Sequence, residues 1–120
     1  NGTASKMMRH SVICNQWEVV VVPFPFSEKP AIKRRPAVVL TCEKFNRSGH
    51  TVLAMITTQF HREWPSDMVI EDYESAGLKL PCVVRLKLFT LDNRLILKTV
   101  GHLSTKDTAK VRASLNLYLP

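Results

Sequence analysis

The sequence has few of the residues that link small domains covalently or through metals. Its three cysteines form no Cys-x-x-Cys pair, and its four histidines are scattered without metal-ligand spacing. The cysteines are therefore expected to be reduced thiols, as in cytoplasmic proteins, and no metal or other cofactor is expected. The chain also lacks an apolar run near the roughly 18 residues of a membrane-spanning helix, and its first residues lack the apolar core of a signal peptide. The expected location is the cytoplasm.

The chain does have enough apolar sequence for one core, together with an excess of positive charge. With 120 residues, 45% of them hydrophobic and 22% charged, it fits one domain rather than two. Residues 1–15 are interpreted as a leader or cloning remnant, and residues 16–120 as the single domain. The net charge of +7 predicts a polyanionic partner: RNA, DNA, an acidic protein tail or, least favoured, a membrane surface.

Short apolar segments predict a mostly-β (α+β) fold with one helix at its end. The predicted strands are Glu18–Val22, Ala37–Thr41, Thr51–Thr57, Met68–Glu71, Cys82–Leu91 and Leu95–Leu103. Pro23 and Pro25 are expected to end the first strand. Ser104 and Asp107 resemble a capping box that opens a helix to about Tyr118. This pattern favours a small, strongly bent antiparallel barrel with a C-terminal helix.

The strongest chemical feature is the cationic run Lys33–Pro36, which is predicted to lie where a loop enters a buried strand. An Arg held before Pro at a strand start is pre-oriented, so the planar guanidinium of Arg35 can meet two phosphate oxygens at small entropic cost. A hydroxyl and an amide, Thr57 and Gln59, lie at the end of the next strand. Together these groups suit a phosphate, and they predict that the chain handles nucleic acid.

The segment Cys82–Leu91 alternates in polarity, which predicts a long half-buried strand. Its apolar face carries Val84, Leu86 and Leu88. Its other face carries Arg85 and Lys87, a basic stripe that can follow a phosphate backbone. An ordinary solvated strand face remains the alternative interpretation of these two cations.

Four sequence blocks occur in a fixed order: Val19–Phe26, Arg34–Leu40, Ala54–Gln59 and Val83–Asp92. With the closing segment Gly101–Ser104, they resemble the PemK/MazF-like toxins of bacterial type II toxin-antitoxin systems. The resemblance runs from about Gln16 to Tyr118, with family-like spacing. One block alone would be weak evidence, whereas the set is specific.

The resemblance implies a homodimeric, SH3-like barrel endoribonuclease that cuts single-stranded RNA, such as mRNA, at a short motif without a metal. It implies that Arg35 and Thr57 are the catalytic pair. It also implies a cognate antitoxin whose acidic tail covers the RNA groove. The candidate RNA-binding residues around the pair are Lys33, Arg34, Gln59, His61, Arg85 and Lys87.

The acid-base chemistry is the open part of this hypothesis. The 2′-hydroxyl of RNA supplies the nucleophile, so the protein must remove its proton, stabilise the transition state and help the 5′-oxygen leave. Arg35 suits charge stabilisation but is a poor base, because its pKa is about 12.5 or above. If the third strand stays extended, His61 shares a face with Thr57 and is the nearest candidate base, although a surface role is favoured for it.

The chain departs from the family pattern at the positions that bear on this chemistry. Trp17 stands where many members have Gly, and Lys87 stands where some plasmid-borne relatives have an Asp two residues after the strand Arg. The loop Ser27–Lys33 also lacks the His of those relatives. Two alternatives therefore stay open: a non-catalytic clamp, like the gyrase-inhibiting relatives of this fold, and a degenerate member that only binds. The pairing of Arg35 with Thr57 favours the nuclease.

Overall fold

A computed structural model describes residues 13–24, 33–58 and 63–120. The strands of these parts are β1 (Glu18–Phe24), β2 (Lys33–Val39), β3 (His50–Thr58), β4 (Met68–Val69), β5 (Cys82–Asp92) and β6 (Lys98–His102). The helices are α1 (Glu43–Asn46), a 3-10 turn (Asn93–Leu95) and α2 (Thr105–Tyr118). The strands form one curled antiparallel sheet in the order β4-β5-β3-β2-β1-β6. The predicted mostly-β fold with a C-terminal helix is confirmed.

Both faces of the central strands are buried, as their continuous apolar sequences predict. The face covered by α2 and the turn after β4 buries Val19, Val38, Ala54, Ile56, Ile70, Ala76, Cys82, Val84, Leu103 and Val111. The opposite face buries Cys14, Val20, Val22, Ala37, Val39, Leu53, Leu91 and Ile96. The second face also carries the candidate active site, at the end where these apolar side chains stop.

The first two strands extend further than the sequence predicts. β1 continues through Pro23 to Phe24, because β6 pairs with β1 only as far as Val21 and Pro23 therefore has a strand on one side only. β2 begins at Lys33 rather than at residue 37, so the cationic run belongs to a strand and not to a loop. Pro25 lies outside the described residues.

An insertion of two residues, Leu86 and Lys87, interrupts the pairing of β5 with β3. The pairing with β3 jumps from Ala54–Leu88 to Met55–Arg85, which leaves two extra residues on β5. Because two residues are added, Val84 and Leu88 still pair with residues of the same β3 face, Ile56 and Ala54, and Arg85 and Lys87 still line one pocket as the alternation predicts. The predicted burial of the apolar face is wrong for Leu88, which is 37% exposed.

The predicted start of α2 is confirmed in its N-cap but not in its capping box. The Ser104 Oγ accepts a hydrogen bond of 3.1 Å from the Asp107 N–H. The Asp107 carboxylate, only 1% exposed, does not return this contact and instead accepts the N–H groups of Glu71 at 3.0 Å and Asp72 at 2.9 Å. It therefore ties α2 to the turn after β4.

No helix in the described parts of the chain is long and apolar enough to cross a membrane.

Trp17 occupies the left-handed backbone region, with φ at 73°. A bulky residue in this region costs on the order of 1–3 kcal/mol, which explains why glycine suits this position in the resembling family. Its ring packs against the core beneath α2, and the Arg112 guanidinium lies 5.2 Å from the ring centroid. Burial of the ring opposes the backbone strain.

The three cysteines are free thiols, as the sequence predicts. Cys14 and Cys82 are buried, whereas Cys42 is exposed. Burial raises the pKa of Cys14 to about 11, so this side chain behaves as a small apolar group at neutral pH.

Candidate active site

The candidate site lies where the curled sheet divides into two arms. β2 and β3 pair only from Ala37–Met55 to Val39–Leu53. Beyond Ala37, β2 stays paired with β1, and beyond Met55, β3 stays paired with β5. A pocket of about 300 Å³ has residues of both arms in its walls: Phe24, Arg35, Met55, Ile56, Thr57, Arg85 and Lys87. We call it the fork pocket.

The predicted pair Arg35 and Thr57 comes together in the fork pocket from opposite arms. Alternation along β2 puts Arg35 on the same face as Ala37, and alternation along β3 puts Thr57 on the same face as Met55. Ala37 and Met55 form the last pair between β2 and β3, and Arg35 and Thr57 each lie two residues beyond it, one on each arm. Both side chains are half-buried. The two residues thus continue the apolar rows of the core as polar groups.

Arg35 is held against an aromatic ring of the neighbouring strand. Its guanidinium carbon lies 5.7 Å from the centroid of Phe24, within the range of a cation–π contact. Phe24 also lines the fork pocket and pairs in register with Lys33. This contact limits the orientations of the guanidinium and keeps it at the pocket wall.

Arg85 lines the other side of the pocket in a largely buried ion pair with Asp67. Its Nε donates to the Asp67 Oδ1 at 3.1 Å, and its Nη2 donates to the Asp67 Oδ2 at 2.8 Å. The two side chains are 13% and 8% exposed. The Arg85 guanidinium also lies 5.1 Å from the centroid of Trp64. The solvated-face interpretation is therefore wrong for Arg85.

Sequence reasoning missed Asp67, because its contact with Arg85 joins residues 18 positions apart. The sequence Trp64–Asp67 does have the composition of a turn. The Asp67 Oδ2 accepts the Trp64 N–H at 2.9 Å, and the Asp67 N–H donates to the Trp64 carbonyl at 3.0 Å. Burial alone would raise the pKa of Asp67, but the hydrogen bonds from Arg85 and Trp64 outweigh it and hold this pKa below its ordinary value. The same pair raises the pKa of Arg85.

The other candidate RNA-binding residues lie at different distances from the pocket. Lys87 lines it and is exposed. Lys33 is exposed on the same strand face as Arg35, but it is not among the lining residues. Arg34 is exposed on the opposite face, since neighbouring strand residues alternate. Gln59 and His61 lie outside the described residues.

The fork pocket has a positive wall. Its described lining residues include Arg35, Arg85 and Lys87 and no acidic side chain. Asp67 compensates Arg85 from outside the lining, which leaves Arg35 and Lys87 as the cations that the ion pair does not balance. Within the described residues, no three His, Cys, Asp or Glu side chains are grouped as a metal site requires. The arrangement suits a group with negative charge.

Residues 15–119 match the family model described as PemK-like, MazF-like toxin of type II toxin-antitoxin system. The chain therefore belongs to this toxin family, as the sequence blocks predict. A search of curated proteins gave no match.

Several solved structures share the fold. MazF (Form I) from Deinococcus radiodurans has a TM-score of 0.69 and 20% identity, over 90% of this chain and 97% of that chain. A MazE-MazF structure (Form II) from the same organism gives 0.69 and 19%, over 90% and 96%. An endoribonuclease from Mycobacterial species gives 0.70 and 14%, over 91% and 93%. At these identities the likeness concerns the fold.

Protonation of Asp67 is expected to destabilise the protein at acid pH. Because its pKa is lowered by folding, its contribution is complete above the unfolded value of about 4 and is lost as the pH falls through the folded value. Asp67→Asn should therefore be less stable than wild type near neutral pH, and the two should converge as the pH falls through the folded pKa of Asp67. Urea unfolding across this range measures the difference. The control is Glu74→Gln, which removes an exposed acid after β4. A difference in unfolding free energy between Asp67→Asn and wild type that stays constant with pH would contradict the prediction.

Proposed function

We propose that this chain is a toxin endoribonuclease that cleaves single-stranded RNA, such as mRNA, at a short sequence motif without a metal. One observation carries the proposal: Arg35 and Thr57, which the family resemblance singles out, line one pocket from opposite arms of the sheet. Membership of the toxin family and the positive wall of that pocket support it further. A non-catalytic clamp has no need of this pair.

In the proposed reaction, the ribose 2′-oxygen attacks the neighbouring phosphorus and the 5′-oxygen leaves. Negative charge grows on the phosphate oxygens in the transition state. Arg35 stabilises it, because its guanidinium stays charged and can donate two hydrogen bonds to one phosphate. Its contact with Phe24 keeps the guanidinium oriented before the substrate arrives. Thr57 donates a further hydrogen bond to a phosphate oxygen or to the leaving oxygen.

The proton transfers are assigned to no described residue. The described lining residues contain no carboxylate or imidazole. Asp67 is a poor base, since its pKa is lowered and both its oxygens accept hydrogen bonds from Arg85. His61 stays the candidate base from the sequence, and it lies outside the described residues.

The proposal includes a homodimer and a cognate antitoxin with an acidic tail. The net charge of +7 and the positive wall of the fork pocket suit such a tail as well as RNA. One solved relative is an endoribonuclease in complex with its cognate antitoxin, from Mycobacterial species. An acidic tail bound over the pocket would exclude RNA by occupying the same cations.

The first test removes the proposed catalytic pair. Arg35→Ala and Thr57→Ala should each lower kcat/KM for RNA cleavage by about 100-fold or more, since each removes a donor to the developing charge. Arg35→Lys should also fail, because a point charge cannot reproduce the two-pronged contact. Cleavage of a long RNA, followed by mapping of the new ends, measures the loss.

Arg34→Ala is the matched control for Arg35→Ala. It removes an identical charge from the next residue of the same strand, on the opposite face of the sheet. It should keep cleavage within about threefold of wild type, since its contribution is only a distant, screened charge. Full activity in Arg35→Ala, or an equal loss in both variants, would contradict the proposed site.

The second test concerns phosphate binding by Lys87. The affinity for an uncleavable RNA should fall steeply with salt, by about 0.7 log units per log unit of salt for each neutralised phosphate. Lys87→Ala should flatten this slope by about one contact and leave the cleaved motif unchanged. Fluorescence anisotropy at several salt concentrations gives the slope. Lys44→Ala, on the exposed surface of α1, is the control, and equal slopes in the two variants would return Lys87 to ordinary surface charge.

The third test separates the enzyme from a clamp. Replacing the ribose 5′ of the scissile phosphate by deoxyribose should abolish cleavage there and leave binding nearly intact, because the nucleophile is lost. Products of unmodified RNA should carry a 2′,3′-cyclic phosphate and a free 5′-hydroxyl, and a chelator should make no difference. Cleavage of the deoxy strand, or 5′-phosphate products that need a metal, would overturn the mechanism. Capture of a cellular enzyme without any RNA cleavage would favour the clamp.

A further inference from the structure

We propose that Asp67 is a positioning residue of the fork pocket: it fixes the orientation of Arg85 and offsets its charge, so that the pocket binds phosphate mainly through Arg35 and Lys87. This inference rests on the proposed function, because it assigns Asp67 a role in the same site. Asp67 acts through Arg85 and is given no contact with the substrate.

The Arg85–Asp67 ion pair is much less exposed than a comparable pair in the same chain. A second pair in the same chain, Arg94 with Asp92, has nearly the same two-pronged geometry, with distances of 3.1 and 3.0 Å. Its side chains are 66% and 32% exposed, against 13% and 8% for Arg85 and Asp67. An exposed pair stabilises a protein little, and a buried pair must first overcome the cost of removing two charges from water. The buried pair is therefore poorly explained by stability alone.

Both partners of the ion pair, Asp67 and Arg85, are also held by other groups. The Asp67 carboxylate accepts hydrogen bonds from the Trp64 N–H and from Arg85. The turn therefore holds the carboxylate in place independently of the guanidinium. The Trp64 ring then provides a second surface against the guanidinium, 5.1 Å away. Arg85 itself lies directly before the two extra residues of β5 and pairs with Met55. Its side chain thus meets a carboxylate and a ring whose positions are set by a different loop.

The negative charge of Asp67 also affects the charge balance of the fork pocket. An uncompensated Arg85 would add a third cation to Arg35 and Lys87, and a cation that is not aligned with the developing charge attracts substrate, transition state and cleaved product alike through their phosphates. Such uniform attraction strengthens binding without accelerating the chemical step. Asp67 therefore keeps the wall rigid and limits how tightly RNA and its products are held.

The test compares Asp67→Asn with wild type in full-length protein. Loss of the carboxylate charge should steepen the salt dependence of binding to an uncleavable 2′-deoxy oligonucleotide by about 0.7, the equivalent of one more phosphate contact. It should lower KM, and lower kcat by about tenfold, because Arg85 is no longer held in place. Asp67→Glu keeps the charge and should restore the wild-type salt slope.

The control is Asp92→Asn, which removes the same charge from the exposed ion pair at the opposite end of β5. It should leave kcat, KM and the salt slope unchanged. In an Arg85→Gln background, Asp67→Asn should no longer steepen the slope, which separates action through Arg85 from a general charge effect. The double variant also covers the case in which Asp67→Asn alone fails to fold.

A variant Asp67→Asn with a lower melting temperature but wild-type kcat, KM and salt slope would overturn the inference and leave Asp67 a purely structural residue. A wild-type protein that binds RNA but does not cleave it would instead refute the proposed function, while the salt slopes would still test the role of Asp67. A wild-type protein with no affinity for the oligonucleotide would refute both.

Discussion

The early end of pairing between β2 and β3 is the constraint on which the candidate site depends. The pairing ends at Ala37 on β2 and Met55 on β3. Ala37 is next to Pro36, which has no N–H to donate to a neighbouring strand. Each strand remains paired on its other side, so the sheet divides without leaving either arm unsupported. The apolar rows that fill the core then continue past the division as Arg35 and Thr57. A pocket with polar walls thus forms at the edge of a hydrophobic core by continuation of the same strands.

The two arms supply different kinds of positive charge. On the first arm, Arg35 is held only by the ring of Phe24 among the contacts described here, and its charge is balanced by no ion pair with the described residues. On the second arm, Arg85 is largely buried and paired with Asp67, while Lys87 is exposed. A rigid, compensated wall therefore faces an arm whose charge is directed to the pocket. In the proposed reaction, this asymmetry directs the phosphate towards Arg35 and Thr57.

Sequence reasoning succeeded where the signal is local and failed where distant residues meet. The Ser104 cap, the apolar strands and the position of Arg35 before Pro36 depend on a few neighbouring residues, so their patterns are visible in the sequence. The two-residue insertion in β5 is invisible, because it depends on which residues of β3 it pairs with. The contact between Asp67 and Arg85 is equally hidden. If residues 33–36 formed a loop, Arg34 and Arg35 could bind the same phosphate. In strand β2 their side chains alternate, so they lie on opposite faces of the sheet.

The insertion in β5 lies beside the candidate site. Leu86 and Lys87 have no partner in the pairing with β3, so the ladder that fixes the rest of β5 is interrupted there. Because two residues are added, the alternation is kept, and Arg85 and Lys87 line the fork pocket together. A bulge costs ladder hydrogen bonds, and Leu88 at its end is 37% exposed where Val84 is buried. The segment in which β5 gives up pairing therefore contains Lys87, the exposed cation of the pocket wall, and lies beside the proposed catalytic pair.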